Sequence, residues 1–309
     1  MFPFVRRRMY TSAIPLIIVL LGVFLLARLT GDPTNLYLPE SATADQREAF
    51  AHQHGFDRPL AAQLLDYFKG VIHLDFGTSL RTGESASEMA LRAFPATLQL
   101  AFTTMLLAII GAIIVGCWAA YRPNSLADRF SSLLSMTAAS IPDFWFAITG
   151  VWLFSVLLGV LPTSGTNDGV LSWILPIATL MIRPLGVLTQ VVRGAMVSAL
   201  SAPYVRLARS KGASDLRVVS HHALRNAAAP ALTVAGDLAV GLINGAVVVE
   251  AIFGWPGIGK LMIDAILQRD FAVLQAAVLL TAVSIFVLNI IIDACYALLD
   301  ARVREPAKV

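Results

Sequence analysis

The stretch that most invites a chemical reading is Gly254-Trp255-Pro256-Gly257-Ile258-Gly259-Lys260, which imitates the start of a nucleotide-binding phosphate loop. Such a loop needs Ser or Thr after the lysine to hold magnesium, and Leu261 stands there. It also cradles phosphate with successive backbone N–H groups, and Pro256 removes one. The stretch reads instead as a turn that redirects the chain between two helices. His52, His54 and His73 could hold a metal, but their spacing matches no ligand pattern, and surface histidines are the simpler reading. Cys117 and Cys295 lie in apolar runs and read as free thiols. No nucleophile, base and metal set clusters anywhere, so the chain is expected not to be an enzyme.

Two other groups of charges carry more. Arg183, Asp237, Asp143, Glu250 and Asp293 fall within or beside long apolar runs. Ionisable residues in such runs usually face protein or a water-filled cavity. Arg183 precedes Pro184, which removes a helix hydrogen bond and can open or kink its helix. Arg183 and Asp237 are therefore candidates to line a water-filled path through the apolar helices, or to pair with each other and hold the fold. The second group runs from Tyr204 to Asn226 and holds Arg206, Arg209, Lys211, Arg217 and Arg225. Gly212 suits a left-handed helix end and Ser214 a helix start with Asp215 in its first turn, giving helix, glycine turn, helix. Leu216, Val219 and Ala223 are expected on one face of the second helix, with Arg217, His221 and Arg225 on another. A solvated loop, a surface for anionic lipid and a docking element for another protein all fit that pattern.

The elements that position these residues follow from composition. Of 309 residues 57% are hydrophobic and 14% charged, and the mean hydropathy is +0.73. A soluble chain carries roughly 25% charge, so a soluble enzyme, a disordered protein and a disulfide scaffold are all excluded. Six apolar runs approach the roughly 20 residues a helix needs to cross a bilayer: about Ser12–Leu29, Ala96–Ala120, Leu133–Leu158, Ile174–Leu200 (interrupted at Arg183-Pro184), Pro230–Ile252 and Val273–Leu299. The first follows Arg6-Arg7-Arg8, has no small-x-small cleavage site after it, and reads as an uncleaved helix. Thirteen of the 23 basic residues fall on one side of this topology: Arg6 to Arg8, Arg122, Arg129, the five of the 204–226 segment, Arg302, Arg304 and Lys308. Both termini are thus expected in the cytoplasm. The net charge of +3 then reflects cytoplasmic Lys and Arg, not nucleic-acid binding. The fold class is all-α, a polytopic membrane protein with six transmembrane helices. Residues 1–95 form the first helix plus an extracytoplasmic segment with short amphipathic helices at Glu40–Ala51 and Pro59–Val71, the latter presenting Leu60, Leu64, Leu65 and Phe68. Residues 96–302 form a five-helix domain with a cytoplasmic loop at about 201–227, and 303–309 a tail.

Tyr204-Val205-Arg206-x-Ala208-Arg209-x-Lys211-Gly212, followed by His222-x-Leu224-Arg225-Asn226, resembles the ATPase-coupling loop of binding-protein-dependent ABC importer permeases, in their dipeptide, oligopeptide and nickel branch. Of the general Glu-Ala-Ala-x3-Gly pattern only Ala208 and Gly212 fit. Gly31-Asp32-Pro33, Gly55-Phe56-Asp57-Arg58-Pro59-Leu60, Leu74-Asp75-Phe76-Gly77-Thr78-Ser79-Leu80, Ile141-Pro142-x-Phe144-Trp145, Glu250 through Gly259, and Ala297-Leu298-Leu299-Asp300-x-Arg302-x-Arg304 resemble the same branch in order. The resemblance implies a type I importer permease fold in a bacterial inner membrane. It implies partners: a second homologous permease subunit, two ATPase subunits and an extracytoplasmic binding protein, with lipid around them. It implies that ATP and magnesium sit on the ATPases and that this chain binds no cofactor. Its coupling residues would be Tyr204, Arg206, Ala208, Arg209, Lys211, Gly212, Ala213, His222, Leu224, Arg225 and Asn226. The implied cargo is a di- or oligopeptide; the alternative is nickel or a metal chelate, to which Leu36-Tyr37-Leu38 and His73-Leu74-Asp75-Phe76-Gly77 bear a slight likeness. An ion-coupled secondary transporter is a remoter reading. It would need inverted repeats and midplane acid clusters, and neither is visible.

Overall fold

The structure is a computed structural model that describes residues 14–15, 17–25, 38, 42–79 and 81–299. Arg6 to Arg8, Gly31-Asp32-Pro33 and the tail from Asp300 lie outside the described residues, as do the side chains of His54 and Cys295. The described residues form helices and their connections, with one isolated antiparallel bridge between Thr78 and Ser85.

The chain divides into two compact units, one of residues 1–95 with 257–287 and one of residues 96–256 with 288–309. In the first unit, α1 is Ala44–His54. It begins after Thr43, not at Glu40, because Thr43 and Gln46 cap each other: the Gln46 N–H donates to Thr43 Oγ1 at 3.3 Å and the Thr43 N–H to Gln46 Oε1 at 3.0 Å. Helix α2 is Leu60–His73. Of its expected apolar stripe, Leu64 and Phe68 are half-buried while Leu60 and Leu65 are exposed. Tyr67 instead turns inward, 5.5 Å from the Phe24 ring, and burial pushes its phenol up to about 12. Helix α9 (Ile258–Gln268) meets the start of α10 (Phe271–Leu299) at Asp270, whose carboxylate accepts from Ser79 Oγ at 2.5 Å and from the Val273 N–H at 3.3 Å. That bond fastens the 77–85 loop over a small core of Ala86, Ala90, Ala265, Val273 and Ala276.

In the second unit, α3 (Ala86–Tyr121, which enters from the first) is followed by α4 (Leu126–Ser140) and α5 (Asp143–Gly150), the last continuing as a π-helical stretch, Val151–Leu157. The expected single run Leu133–Leu158 is therefore broken. Pro142 cannot continue α4 and drives Ile141 into extended backbone (φ −81°, ψ 128°), so the two pieces meet at 100°. Helix α6 (Leu171–Leu200) corrects the sequence reading the other way: it runs unbroken through Pro176 and Pro184. Helix α7 is Pro203–Ser210 and α8 is Asp215–Phe253, far longer than Pro230–Ile252. Among the described residues four helices (α3, α6, α8, α10) are long and apolar enough to cross a membrane, five spans if the bent α4–α5 pair counts as one. The core gathers Leu100, Leu175, Leu180, Leu188, Leu242 and Phe253 around α6, which α8 follows along its length. Gly186 lets α4 cross close to α6, since a Cβ there would sit 2.6 Å from the Ser135 carbonyl oxygen.

Candidate functional site

The basic segment folds as helix, turn and helix. The α7 face carrying Val205 and Ala208 is buried, while Tyr204, Arg206, Leu207 and Arg209 are exposed. Gly212 ends it at φ +81°, with its N–H on the Arg209 carbonyl at 2.9 Å and the Ala213 N–H on the Ala208 carbonyl at 3.1 Å. Ser214 takes the expected cap position, φ −66° and ψ 153°, but its side chain makes no cap bond. Helix α8 then starts, and residues Val218–Ala223 adopt the wider π turn. That turn rotates the apolar face: Val218 and Ala223 are buried, Val219 is half-buried, and Leu216, expected inside, stands 78% exposed.

The structure brings several of the expected residues together. Asn226 Nδ2 donates to Tyr204 Oη at 3.2 Å and to the His222 carbonyl at 2.9 Å, tying α7 to α8. Arg209 Nη2 lies 3.8 Å from Asp215 Oδ1, and Tyr121 Oη donates to Asp215 Oδ2 at 2.9 Å. Lys211, Gly212, Ala213 and His222 line an open cavity of about 670 Å³ together with Leu216 and Arg217. Leu224 packs beneath it, against a cluster of Ala120, Val192, Met196, Ala199, Ala223 and Ala227. Arg206 and Arg225 are exposed outside the cavity. The segment is thus packed onto the ends of α3, α6 and α8, with cations and two exposed leucines (Leu207, Leu216) on its outer surface.

Arg183 and Asp237 are not brought together: each is exposed on its own helix, and they form no ion pair. Asp143, at the start of α5, feels the charge of Arg183, but the two form no ion pair. The false phosphate loop is a cap. Gly254 takes φ +61°, the Trp255 N–H donates to the Glu250 carbonyl at 2.9 Å, and Trp255 Nε1 donates to the Ala96 carbonyl at 3.1 Å while packing edge-on to Trp173. Glu250 is fully buried one turn before it. His52 and His73 are exposed, and no three potential ligands converge among the described residues.

Sequence reasoning missed a clamp. Asp128, nearly fully buried, receives Arg193 in a two-pronged pair, Nε to Oδ1 and Nη2 to Oδ2 at 2.8 Å, plus the Asn124 N–H at 2.8 Å. It fixes the start of α4 to α6. The signals were present: an Arg inside an apolar run, and Ser125 three residues before Asp128 in helix-capping spacing.

Residues 112–305 match the family described as binding-protein-dependent transport system inner membrane component. That stretch holds α6, the basic segment and α8. The chain belongs to this family of inner-membrane transport components. Along its whole length it is similar to the di/tripeptide transport system permease protein DppB of Pseudomonas aeruginosa, 39% identical over 99% of each chain. It is 35% identical to the oligopeptide transport system permease protein AppB of Bacillus subtilis (97% of this chain, 98% of that one). It is 36% identical to the glutathione transport system permease protein GsiC of Salmonella typhimurium (98% and 99%). Among solved structures it is similar in fold to a chain of the MetNI methionine ABC transporter in an inward-facing conformation, with TM-score 0.57, 16% identity, and 69% of this chain and 96% of that one covered. Membership makes the chain a multi-pass inner-membrane protein of a transport system that works with a binding protein.

Proposed function

We propose that this chain is the path-forming permease subunit of an ATP-driven importer of di- and oligopeptides. It would pair with a second, homologous permease, receive cargo from an extracytoplasmic binding protein and rest on two ATPase subunits that hold the ATP and magnesium. The relatives named for di/tripeptide, oligopeptide and glutathione transport support a peptide cargo. The four long helices and the bent α4–α5 pair support five of the six spans of this reading, with the apolar run at Ser12–Leu29 as the sixth, and the bias of basic residues supports a cytoplasmic side for both termini and the 201–227 loop. Residues 1–95 then carry the first span and an extracytoplasmic segment, and 96–302 the five-span domain.

The single observation that carries the coupling role is continuity. The α7–Gly212 turn is packed onto the first turns of α8, and α8 continues without a break to Phe253. At 1.5 Å per residue its 39 residues form a lever of roughly 58 Å. An ATPase that grips α7 and the Leu216–Arg217 corner moves α8 and, through the shared cluster, the ends of α3 and α6. ATP-driven closure below thereby switches the path between inward and outward openings, a rigid-body change between two packed states. The surface suits a groove with an apolar pocket for Leu216 and acidic groups at its rim. In the membrane-extracted transporter, a tagged chain should co-purify with its ATPase, and Gly212→Pro, whose ring fixes φ near −65°, should lose it. An ATPase that stays bound and coupled in that variant refutes the docking role.

A further inference from the structure

The exposed faces of two spanning helices have opposite character. On α3, between Ala101 and Ala119, the exposed residues are all large and apolar: Phe102, Leu106, Leu107, Ile110, Ile114 and Trp118. On α8, between Val234 and Phe253, the exposed residues are Asp237, Gly241, Asn244 and Val248. At about 100° per residue these four fall within an arc of roughly 60°, a single stripe. Three of these four positions carry Asp, Gly and Asn, whereas Leu238, Leu242, Ile243 and Val249 of the same stretch are buried or half-buried, the reverse of a lipid-facing helix. Neither Asp237 nor Asn244 has a hydrogen bond or ion pair among the described residues.

A carboxylate turned toward hydrocarbon costs about 2.5–3.5 kcal/mol on insertion scales and far more in other treatments. Asp237 must therefore face water or an opposite charge. The flank of the stripe supplies charges of both signs. Asp143 Oδ2 lies 3.5 Å from the position a Cβ would take at Gly245, one residue after Asn244, and Arg183 is within electrostatic reach of Asp143. A wall with a free carboxylate, an amide and a guanidinium complements a cargo that carries an ammonium at one end and a carboxylate at the other.

We propose that Asp237, Gly241 and Asn244 of α8, flanked by Asp143 and Arg183, form one wall of a water-filled translocation path that reads a zwitterionic peptide, Arg183 meeting its carboxylate and Asp237 its ammonium. This rests on the importer reading above and adds the residues and the cargo chemistry to it.

The test uses the whole transporter in membranes, with Cys117→Ser and Cys295→Ser as background. Single cysteines replace Asp237, Gly241 or Asn244, and Phe102 or Ile114 as lipid-facing references. Each is exposed to a charged, water-soluble methanethiosulfonate. A thiol reacts through its thiolate, which forms in water and not in hydrocarbon. The stripe should react at least about tenfold faster than the references, and peptide-loaded binding protein with ATP should change its rate. Gly241 and Asn244 cysteines that react as slowly as the references overturn the wall, whether lipid or the second permease covers them. Arg183→Gln should lower peptide uptake about tenfold while Arg183→Lys retains most of it. Uptake by Arg183→Gln equal to wild type removes Arg183 from the path. ATPase co-purification from the same samples separates the two claims. Its loss in the cysteine-replaced background counts against the importer reading, and slow thiols with the ATPase retained count against the wall alone.

Discussion

Gly212 offers a perturbation whose size follows from its geometry. Its φ is +81°, and no atom lies within 4 Å of the position a Cβ would occupy. A side chain there meets no neighbour, so its effect is on the backbone alone. Holding an ordinary L-residue in the left-handed region costs roughly 1–2 kcal/mol, a factor of about 5–30 in the population of the native turn. Asn tolerates that region better than Ala, and β-branched Val tolerates it worst. The series Gly212→Asn, Gly212→Ala, Gly212→Val therefore grades the turn without touching the docking side chains. Two quantities should be measured in lipid nanodiscs: the apparent affinity of the ATPase for the permease, and ATP hydrolysis stimulated by peptide-loaded binding protein. Both should fall in that order, with Ala weaker than wild type by about 5–30-fold. The permease itself should melt near the wild-type temperature, because the strain is confined to one exposed turn. A Val variant that binds and couples like wild type would refute the reasoning, since the left-handed turn would then not be needed for docking.

Three further outcomes follow from the geometry. Arg193→Met strands the Asp128 carboxylate, whose side chain is 3% exposed; breaking such a pair costs about 3–5 kcal/mol, toward the lower end here because Arg193 is 27% exposed and water can enter. Its thermal midpoint should fall and recover in large part in Asp128→Asn/Arg193→Met, and an unchanged midpoint in the single variant would deny the clamp. Leu216→Asp should leave the midpoint unchanged, because the side chain is 78% exposed, yet abolish ATPase co-purification; retained binding would place the dock elsewhere. Trp255→Phe keeps the ring against Trp173 but loses the bond to the Ala96 carbonyl, and should cost about 1 kcal/mol in a denaturant titration, with no loss contradicting a structural role for that bond.

What was legible in the sequence follows the range of the interactions. The apolar stretches of α3, α6 and α10, the Gly212 turn and the helix start at Asp215 are local signals of hydropathy, left-handed backbone and capping, and they are found where the residues place them. Proline was less reliable. Pro184 was expected to interrupt α6 and does not: its ring is buried in the packing and the helix runs on through it, whereas Pro142, read as internal to a span, breaks it. The face of α8 was misassigned at Leu216 because the π turn at Val218–Ala223 adds a residue per turn and rotates everything before it, which a fixed helical period cannot anticipate. Asp128 and Arg193 are 65 residues apart, and only tertiary packing reveals which distant charge answers an Arg in an apolar run.

The central claim is that this chain opens a path for peptides at the expense of ATP. The most direct measurement is uptake of a radiolabelled dipeptide into proteoliposomes containing this chain, its companion permease and ATPase, with binding protein outside and ATP inside. Accumulation should require the binding protein and hydrolysable ATP and should be insensitive to dissipation of ion gradients. Accumulation that proceeds without ATP and collapses when those gradients are dissipated would contradict it.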